Sequence, residues 1–439
     1  MTNSKLKDSN IEWLGKIPSN WNLIKGKYLF TLRTTKGNTK QVELLSPTQE
    51  YGVIPQKLYE KLTGMRPVKL KSNTDLNQMK SIYKGDFCIS LRSFQGGFEY
   101  SNYNGIVSPA YQVFYPSKQV NRNYFKYLFK DKSFIQKLNS YTMSLRDGKN
   151  IAFSDFGNTY LPFPALDEQN KIADFLDKKV SQIDNLSKNI QQEITDLEDY
   201  RKSIIVKAVT KGLNPDVPMK DSGIPWIGKM PENWKLERVK LITTSLNKGI
   251  SPNYIIAKGT PIITQAMFSQ GYLNFHNIKY GSDPFELNQK GQVKSEDILF
   301  ATTGGGVLGK VFFVDQIKKG YLASADVCII RTNNKVFSSK LLYYIFSINY
   351  NLFNGLMATG STNQIHLNMF QFKNMHIPVM PKTDQKKILK FIDQKASKIN
   401  KLIDKKNKIL DFLNQYKQSI IYEYVTGKKQ VPTEEGAKE

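Results

Sequence analysis

Residues 7–23 read KDSNIEWLGKIPSNWNL, and residues 220–236 read KDSGIPWIGKMPENWKL. Eleven of the 17 positions are identical at an offset of 213. All four tryptophans fall in this match, Trp13 with Trp226 and Trp21 with Trp234. A second match lies downstream. Gln169, Ile172, Phe175, Asp177, Lys179, Ser181 and Ile183 return as Gln385, Ile388, Phe391, Asp393, Lys395, Ser397 and Ile399, at an offset of 216. At the same offset Tyr200, Ser203, Ile204, Ile205, Val209 and Thr210 return as Tyr416, Ser419, Ile420, Ile421, Val425 and Thr426. Two nearly equal offsets mean a duplicated unit of about 215 residues. Between the matches the copies diverge, leaving echoes such as Gly85-Asp86-Phe87-Cys88-Ile89 against Glu296-Asp297-Ile298-Leu299-Phe300. Each copy therefore has a variable globular part and a shared helical part.

The helical parts read as a coiled coil. Leu176, Ile183, Ile190, Leu197 and Ile204 are spaced by seven, as are Ile392 and Ile399, then Leu413 and Ile420. Ile172, Leu186 and Tyr200 are read as the companion stripe in copy one; Ile388, Leu402, Ile409 and Tyr416 fill that place in copy two. Neither run contains Pro or Gly, and two apolar stripes at heptad spacing predict paired helices. Lys179, Glu193, Lys395 and Lys406 are expected as polar seam positions. Leu161-Pro162-Phe163-Pro164 and Ile377-Pro378-Val379-Met380-Pro381 precede the helices; proline is expected to end the ladder or helix before it. The stretch LNPDVPMKDSGIP after Gly212 marks the repeat boundary.

The globular parts read as mixed α and β. Residues 111–115 and 311–314 are strand-like, while residues 124–138 and 341–353 carry helical apolar spacing. The fold class expected is α/β, of the mixed α+β kind. Its divisions are a globular domain over 1–160, a long helix over 161–212, a second globular domain over 213–376, and a second long helix with a tail over 377–439.

Composition narrows the function. The 439 residues carry 63 Lys and Arg against 38 Asp and Glu, a formal charge of +25, with 40% apolar residues. A folded chain of that charge points to a polyanion, with nucleic acid the leading candidate. The charge sits mainly on the globular parts: residues 1–166 hold 24 basic against 11 acidic side chains, and residues 213–381 hold 17 against 10. No apolar run reaches the length of a membrane helix, and the polar start MTNSKLKDSN lacks a signal-peptide core. Two cysteines exclude a disulfide framework and fit a reducing cytoplasm.

Chemistry-bearing motifs are scarce. Gly304-Gly305-Gly306-Val307-Leu308-Gly309-Lys310 satisfies G-x-x-x-x-G-K, but Val311 stands where a phosphate loop needs Ser or Thr, and a strand-like run follows where a helix is required. A glycine turn beside a sugar-phosphate chain is the better reading. No Glu-x-Lys and no Pro-Pro pair occurs, which removes the usual signatures of a nuclease and of an amino-methyltransferase. Cys88 and Cys328 read as core; His276, His366 and His376 have no counterparts in copy one. No catalytic site and no metal site are expected.

Taken together, the duplicated W-x-G-x-x-P-x-x-W segments, the proline-rich exits, the helix entries DEQNKI and TDQKKI, and the helix ends SIIVKAVTKGL and SIIYEYVTGKK resemble the specificity subunits of type I restriction-modification enzymes. The resemblance covers nearly the whole chain, with Lys382-Thr383-Asp384-Gln385 departing slightly from the family's entry motif. It implies two target-recognition domains, each reading one half of a split double-stranded DNA site. The two domains are joined by antiparallel long helices that set the spacer and dock two methyltransferase subunits. It also implies a restriction/translocase subunit, and S-adenosylmethionine, ATP and Mg used in the partner subunits, with no cofactor in this chain.

Candidate DNA-contacting residues are polar loop side chains. In copy one they are Arg66, Lys69, Lys71, Arg92, Gln95, Arg146 and Lys149; in copy two they are Gln265, Thr302, Thr303, Lys310, Asn363, Gln364 and His366. The helix-pair interface is expected at Leu176, Ile183, Leu186, Ile190, Leu197, Ile204, Ile392, Ile399, Leu402, Ile409, Leu413 and Ile420. A reading from another class is a non-catalytic coiled-coil scaffold whose basic domains bind nucleic acid non-specifically, or bind RNA.

Overall fold

The computed structural model describes residues 5–37, 43–65, 67, 76–89, 97–118, 120–141, 151–256, 258–360 and 365–432. The described residues form two compact units. One comprises residues 1–190 and 407–439, the other residues 191–406. The divisions fall inside the two long helices, which run over Leu166–Lys211 and Lys382–Val425. Each unit therefore contains one globular part, the first half of the helix that follows it, and the second half of the other copy's helix.

Both globular parts are built round the same four-stranded antiparallel sheet. In the first unit the strand order is Phe30–Leu32, Gln112–Pro116, Phe87–Ile89, Phe98–Tyr100. In the second it is Thr243–Lys248, Val327–Thr332, Ile298–Ala301, Val311–Phe313. The first core is a phenylalanine cluster. Phe30, Phe87, Phe98, Phe114, Phe129 and Phe156 are all buried, with centroids such as Phe98–Phe156 at 4.8 Å. In the second, Phe300, Phe346, Phe353 and Phe372 take this place, with Phe300–Phe372 at 4.7 Å. An Asp in the turn before a central strand is locked by an arginine in both units. Asp86 receives Arg33 at 2.7 Å and Asp297 receives Arg331 at 2.7 Å. Burial pushes the Asp297 carboxyl up, against the pull of Arg331.

The long helices complete these cores. Ile205, Ala208 and Val209 from one helix and Ile388 and Ile392 from the other belong to the apolar cluster of the second unit. In the first unit Ile172, Leu176, Ile420 and Val425 are buried, and the Tyr124 hydroxyl donates to the Val425 carbonyl at 2.8 Å. The helices end at Gly212 and Gly427, with φ of 75° and 72°, a conformation that glycine adopts without strain.

Within each unit the helix halves pair antiparallel. In the first, Phe175 meets Tyr424 at 4.4 Å and Lys417 donates to Asp184 at 2.6 Å. In the second, Lys406 pairs with Glu193, and Arg201 donates to Asn400 at 2.6 Å. As one number rises the other falls. Buried and half-buried positions step by four and three: Leu176, Val180, Ile183, Ser187, Ile190, Ile194, Leu197, Arg201 and Ile204 on one helix. On the other they are Ile392, Ala396, Ile399, Ile403, Lys406, Leu410, Leu413, Lys417 and Ile420. This is a heptad seam.

The seam corrects the expected companion stripe. The stripe at Leu176, Ile183, Ile190, Leu197 and Ile204 lies in the seam, as do Ile392, Ile399, Leu413 and Ile420. Leu186, Leu402 and Ile409 do not: they are 47%, 47% and 46% exposed, and Tyr200 and Tyr416 are exposed beside them. The companions are the next residues along, where Ser187, Arg201 and Lys417 break the apolar pattern. A second correction concerns proline. Tyr160–Phe163 pairs with Asn22–Lys25, with Pro162 opposite Leu23; His376–Val379 pairs with Lys235–Arg238, with Pro378 opposite Leu236. Each is a two-stranded sheet with an open edge, where a missing N–H is tolerated. The helical spacings over 124–138 and 341–353 are each split into two helices, Arg122–Leu128 with Lys132–Ser140, and Ser339–Ile348 with Tyr350–Asn354.

Candidate nucleic-acid interface

In the second unit three loops converge beyond the sheet. The turn after Ala301 is held to the Ala358–Thr359 and His366–Leu367 hairpin: Leu367 N–H donates to the Thr302 carbonyl at 2.8 Å and Gly304 N–H to the Ile365 carbonyl at 2.9 Å. The Thr303 hydroxyl donates to Gln265 Oε1 at 3.4 Å, bringing in the short helix Gln265–Met267. Lys310 Nζ donates to the Ser269 carbonyl at 2.7 Å and anchors the same loop. Gln265, Thr303, Lys310 and His366, chosen from sequence alone, thus share one cluster. Gln265 and Thr303 are half-buried and His366 is exposed. Such amide, hydroxyl and imidazole groups can read base edges.

Thr302 belongs to the frame. It is fully buried, and its hydroxyl donates to the Asp326 carbonyl at 3.0 Å. The glycine motif is a turn. The N–H groups of Val307 and Leu308 donate to the Gly304 carbonyl, Gly309 N–H to Ala301 and Lys310 N–H to Val307. These amides are occupied within the chain and cannot cradle a phosphate. Gly309 has φ of +89°, and a Cβ there would stand 3.0 Å from Phe353 Cβ, so backbone and packing both demand glycine. Arg66, Lys69, Lys71, Arg92, Gln95, Arg146, Lys149, Asn363 and Gln364 lie outside the described residues.

The residues that join globular part to helix were visible only as duplicated letters. Buried Gln169 accepts from Asn121 N–H at 3.0 Å and donates to the Pro164 carbonyl at 2.9 Å. Buried Gln385 accepts from Ser338 N–H at 3.0 Å and donates to the carbonyls of Met380 and Val336. Two turns on, Asp177 accepts from the Tyr127 hydroxyl at 2.5 Å and from Lys126 at 3.0 Å. Asp393 accepts from the Tyr344 hydroxyl at 2.6 Å and from Lys340 at 3.0 Å. Burial, then the carboxylate, pushes both tyrosines well up. Each globular part is thereby clamped by the same two side chains of its own helix. Among the described residues no group of three or more His, Cys, Asp or Glu is placed to hold a metal, and no helix is long and apolar enough to cross a membrane.

The model of the type I restriction modification DNA specificity domain matches residues 18–196 and again residues 231–423. The chain belongs to this family. One match falls within each of the two copies read from the sequence, so the duplicated unit contains a specificity domain. The chain is 26% identical over 306 residues, 66% of its length, to the type I restriction enzyme MjaVIII specificity subunit of Methanocaldococcus jannaschii, of which 68% is covered. It is 23% identical over 297 residues to the EcoBI specificity subunit of Escherichia coli, covering 66% of this chain and 62% of that one. In fold it resembles a chain from a solved type I R-M system complex, with a TM-score of 0.67 over 94% of this chain and 99% of that chain, at 13% identity.

Proposed function

We propose that this chain is the DNA-reading subunit of a type I restriction-modification complex. Each specificity domain would bind one half of a bipartite double-stranded site, and the helix pair would set the spacer between halves. The observation that carries the reading is the repetition of a specificity domain with its clamp, which supports a chain that binds a site in two halves. Gln265, fixed by Thr303, would offer an amide to an adenine, and His366 would reach a neighbouring base edge. Basic side chains on the globular parts would hold the phosphates and set the register.

The chain would supply no bond chemistry. Methyl transfer would come from two methyltransferase subunits using S-adenosylmethionine. ATP- and Mg-dependent translocation and cleavage would come from a restriction subunit, all in the cytoplasm. The test is co-expression with a type I methyltransferase subunit, followed by genome-wide mapping of methylated adenines. A split motif with a fixed non-specific spacer is expected, and purified chain alone is expected to methylate nothing. Methyl transfer by the chain alone, or an unsplit motif, would overturn the reading.

A further inference from the structure

The second long helix carries a row of uncompensated cations within the second unit. Lys387, Lys390, Gln394, Lys398, Lys401 and Lys405 step by three and four, so they share one ridge, and all six are exposed. None belongs to the seam, which runs through Ile392, Ala396, Ile399, Ile403 and Lys406. Lys387 with Lys390, Lys398 with Lys401, and Lys401 with Lys405 are like charges three or four residues apart, an arrangement that destabilises a helix. Among the described residues no acid forms an ion pair with these five lysines. Asp393 is taken by Lys340 and Tyr344, and Asp384 accepts from Trp234 Nε1 at 3.4 Å. Asp404 stays exposed beside the ridge. Over this unit's two helix halves, residues 191–211 and 382–406, there are 13 basic against 7 acidic side chains.

The duplication supplies a comparison at the offset of 216. The ridge corresponds to Lys171, Asp174, Lys178, Gln182, Asn185 and Asn189, all exposed as well. Five lysines stand against two lysines and one aspartate. Gln182, Asn185 and Asn189 fill the places of Lys398, Lys401 and Lys405, so neutral amides satisfy solvent on this face of the helix. Solvation alone does not call for the lysines of the second copy.

We infer that this ridge seats the phosphate backbone of duplex DNA, a sequence-independent contact apart from the loop cluster and lacking in the duplicate helix. That the polyanion is DNA rests on the proposed function. A protein interface closes round an apolar core. The ridge has no apolar side chain, and the exposed large apolar residue of this half-helix is Leu402, which adjoins the seam at Ile403. A nucleic-acid backbone needs only cations. Lysine meets phosphate as a point charge on a flexible stem, without the planar fork that fixes geometry. Lys387 and Lys405 are 18 residues apart, which is about 27 Å of helix. Duplex DNA carries a charge about every 1.7 Å of its axis, so phosphates outnumber the lysines and no register with the sequence is required. A phosphate backbone laid on the ridge also relieves the repulsion among the lysines, which the fold leaves unpaired.

The test is a triple variant, Lys398→Gln with Lys401→Asn and Lys405→Asn, which installs the side chains that the duplicate helix already carries. Its complex with the methyltransferase subunit would be titrated against a duplex holding the methylated site, by fluorescence anisotropy across a salt series. Three lost contacts at about 0.9 each should make the slope of log K against log salt shallower than the parent's by about 2–3, and binding should weaken at least about tenfold at 0.1 M salt. A duplex without the site should lose as much, and the methylated motif should stay the same. Arginine at all three positions should keep the parent's affinity and slope. Unchanged affinity and slope in the triple variant would overturn the inference and leave the proposed function standing. Loss of the methyltransferase subunit from the variant, seen by native mass spectrometry, would assign the ridge to a protein partner and overturn the inference. An altered motif would overturn the sequence-independent contact. A parent complex that binds no DNA would overturn the proposed function itself.

Discussion

Replacing Gln385 by leucine removes the glutamine half of the second unit's clamp, leaving Asp393 in place, at similar side-chain volume. Three hydrogen bonds disappear, to Ser338 N–H and to the carbonyls of Met380 and Val336. A backbone group left without a partner costs about 1–3 kcal/mol when buried, so the gross loss is at most about 3–9 kcal/mol, with two of the three groups only partly buried. Leucine returns about 1 kcal/mol through apolar burial. Gln169→Leu removes two bonds in the first unit and should cost less, at most about 1–5 kcal/mol net. A single melting curve is a poor readout for a chain of two compact units. Segment-resolved hydrogen exchange is the better assay. Gln385→Leu should lower protection over Ser339–Ile348 and leave Arg122–Leu128 unchanged; Gln169→Leu should do the reverse. A loss under about 0.5 kcal/mol in both variants would refute the claim that these glutamines fasten reader to helix.

Three further outcomes follow from the same structure. His366→Ala should relax base preference at one half-site by about 1–3 kcal/mol, whereas Thr302→Val should lower stability and leave the motif intact; methylome sequencing separates the two. If each domain neutralises about three phosphates, log K for DNA should fall with log salt at a slope of about −5, measured by fluorescence anisotropy, and a flat response would disconnect the +25 charge from DNA. Cys88 and Cys328 are buried, and burial pushes the Cys328 thiol up to about 12 and the Cys88 thiol further. Because the thiolate is the reactive form, both should resist thiol reagents at pH 8 in the folded chain and react in guanidinium; rapid labelling in the folded chain would contradict the buried strand assignment.

How far the fold was legible depended on where its information lay. The duplication and one seam stripe were plain because Leu and Ile recur every seven residues without interruption in copy one. The other stripe was misplaced by one residue, since Ser187, Arg201 and Lys417 occupy the seam while Leu186, Tyr200 and Ile409 occupy the flank. Periodicity follows apolarity, and here an exposed stripe was the more apolar. Pro162 and Pro378 looked like terminators because their open strand edge depends on pairing partners far along the chain. In the loop cluster of the second unit, residue type picked out Gln265, Thr303 and His366, which the structure brings together. It could not tell Thr302 from Thr303, because the burial of Thr302 is fixed by Asp326, 24 residues away. Gln169 stood out by repetition, but its role required Asn121, 48 residues earlier.

The central claim is that each specificity domain reads its own half of the site. Residues 1–160 would be exchanged for the matching domain of another family member, the chimaera expressed with its methyltransferase subunit, and methylated adenines mapped across the genome. One half-site should change, while the other half-site and the spacer length stay as in the parent. A change in both half-sites, or in neither, would contradict the account.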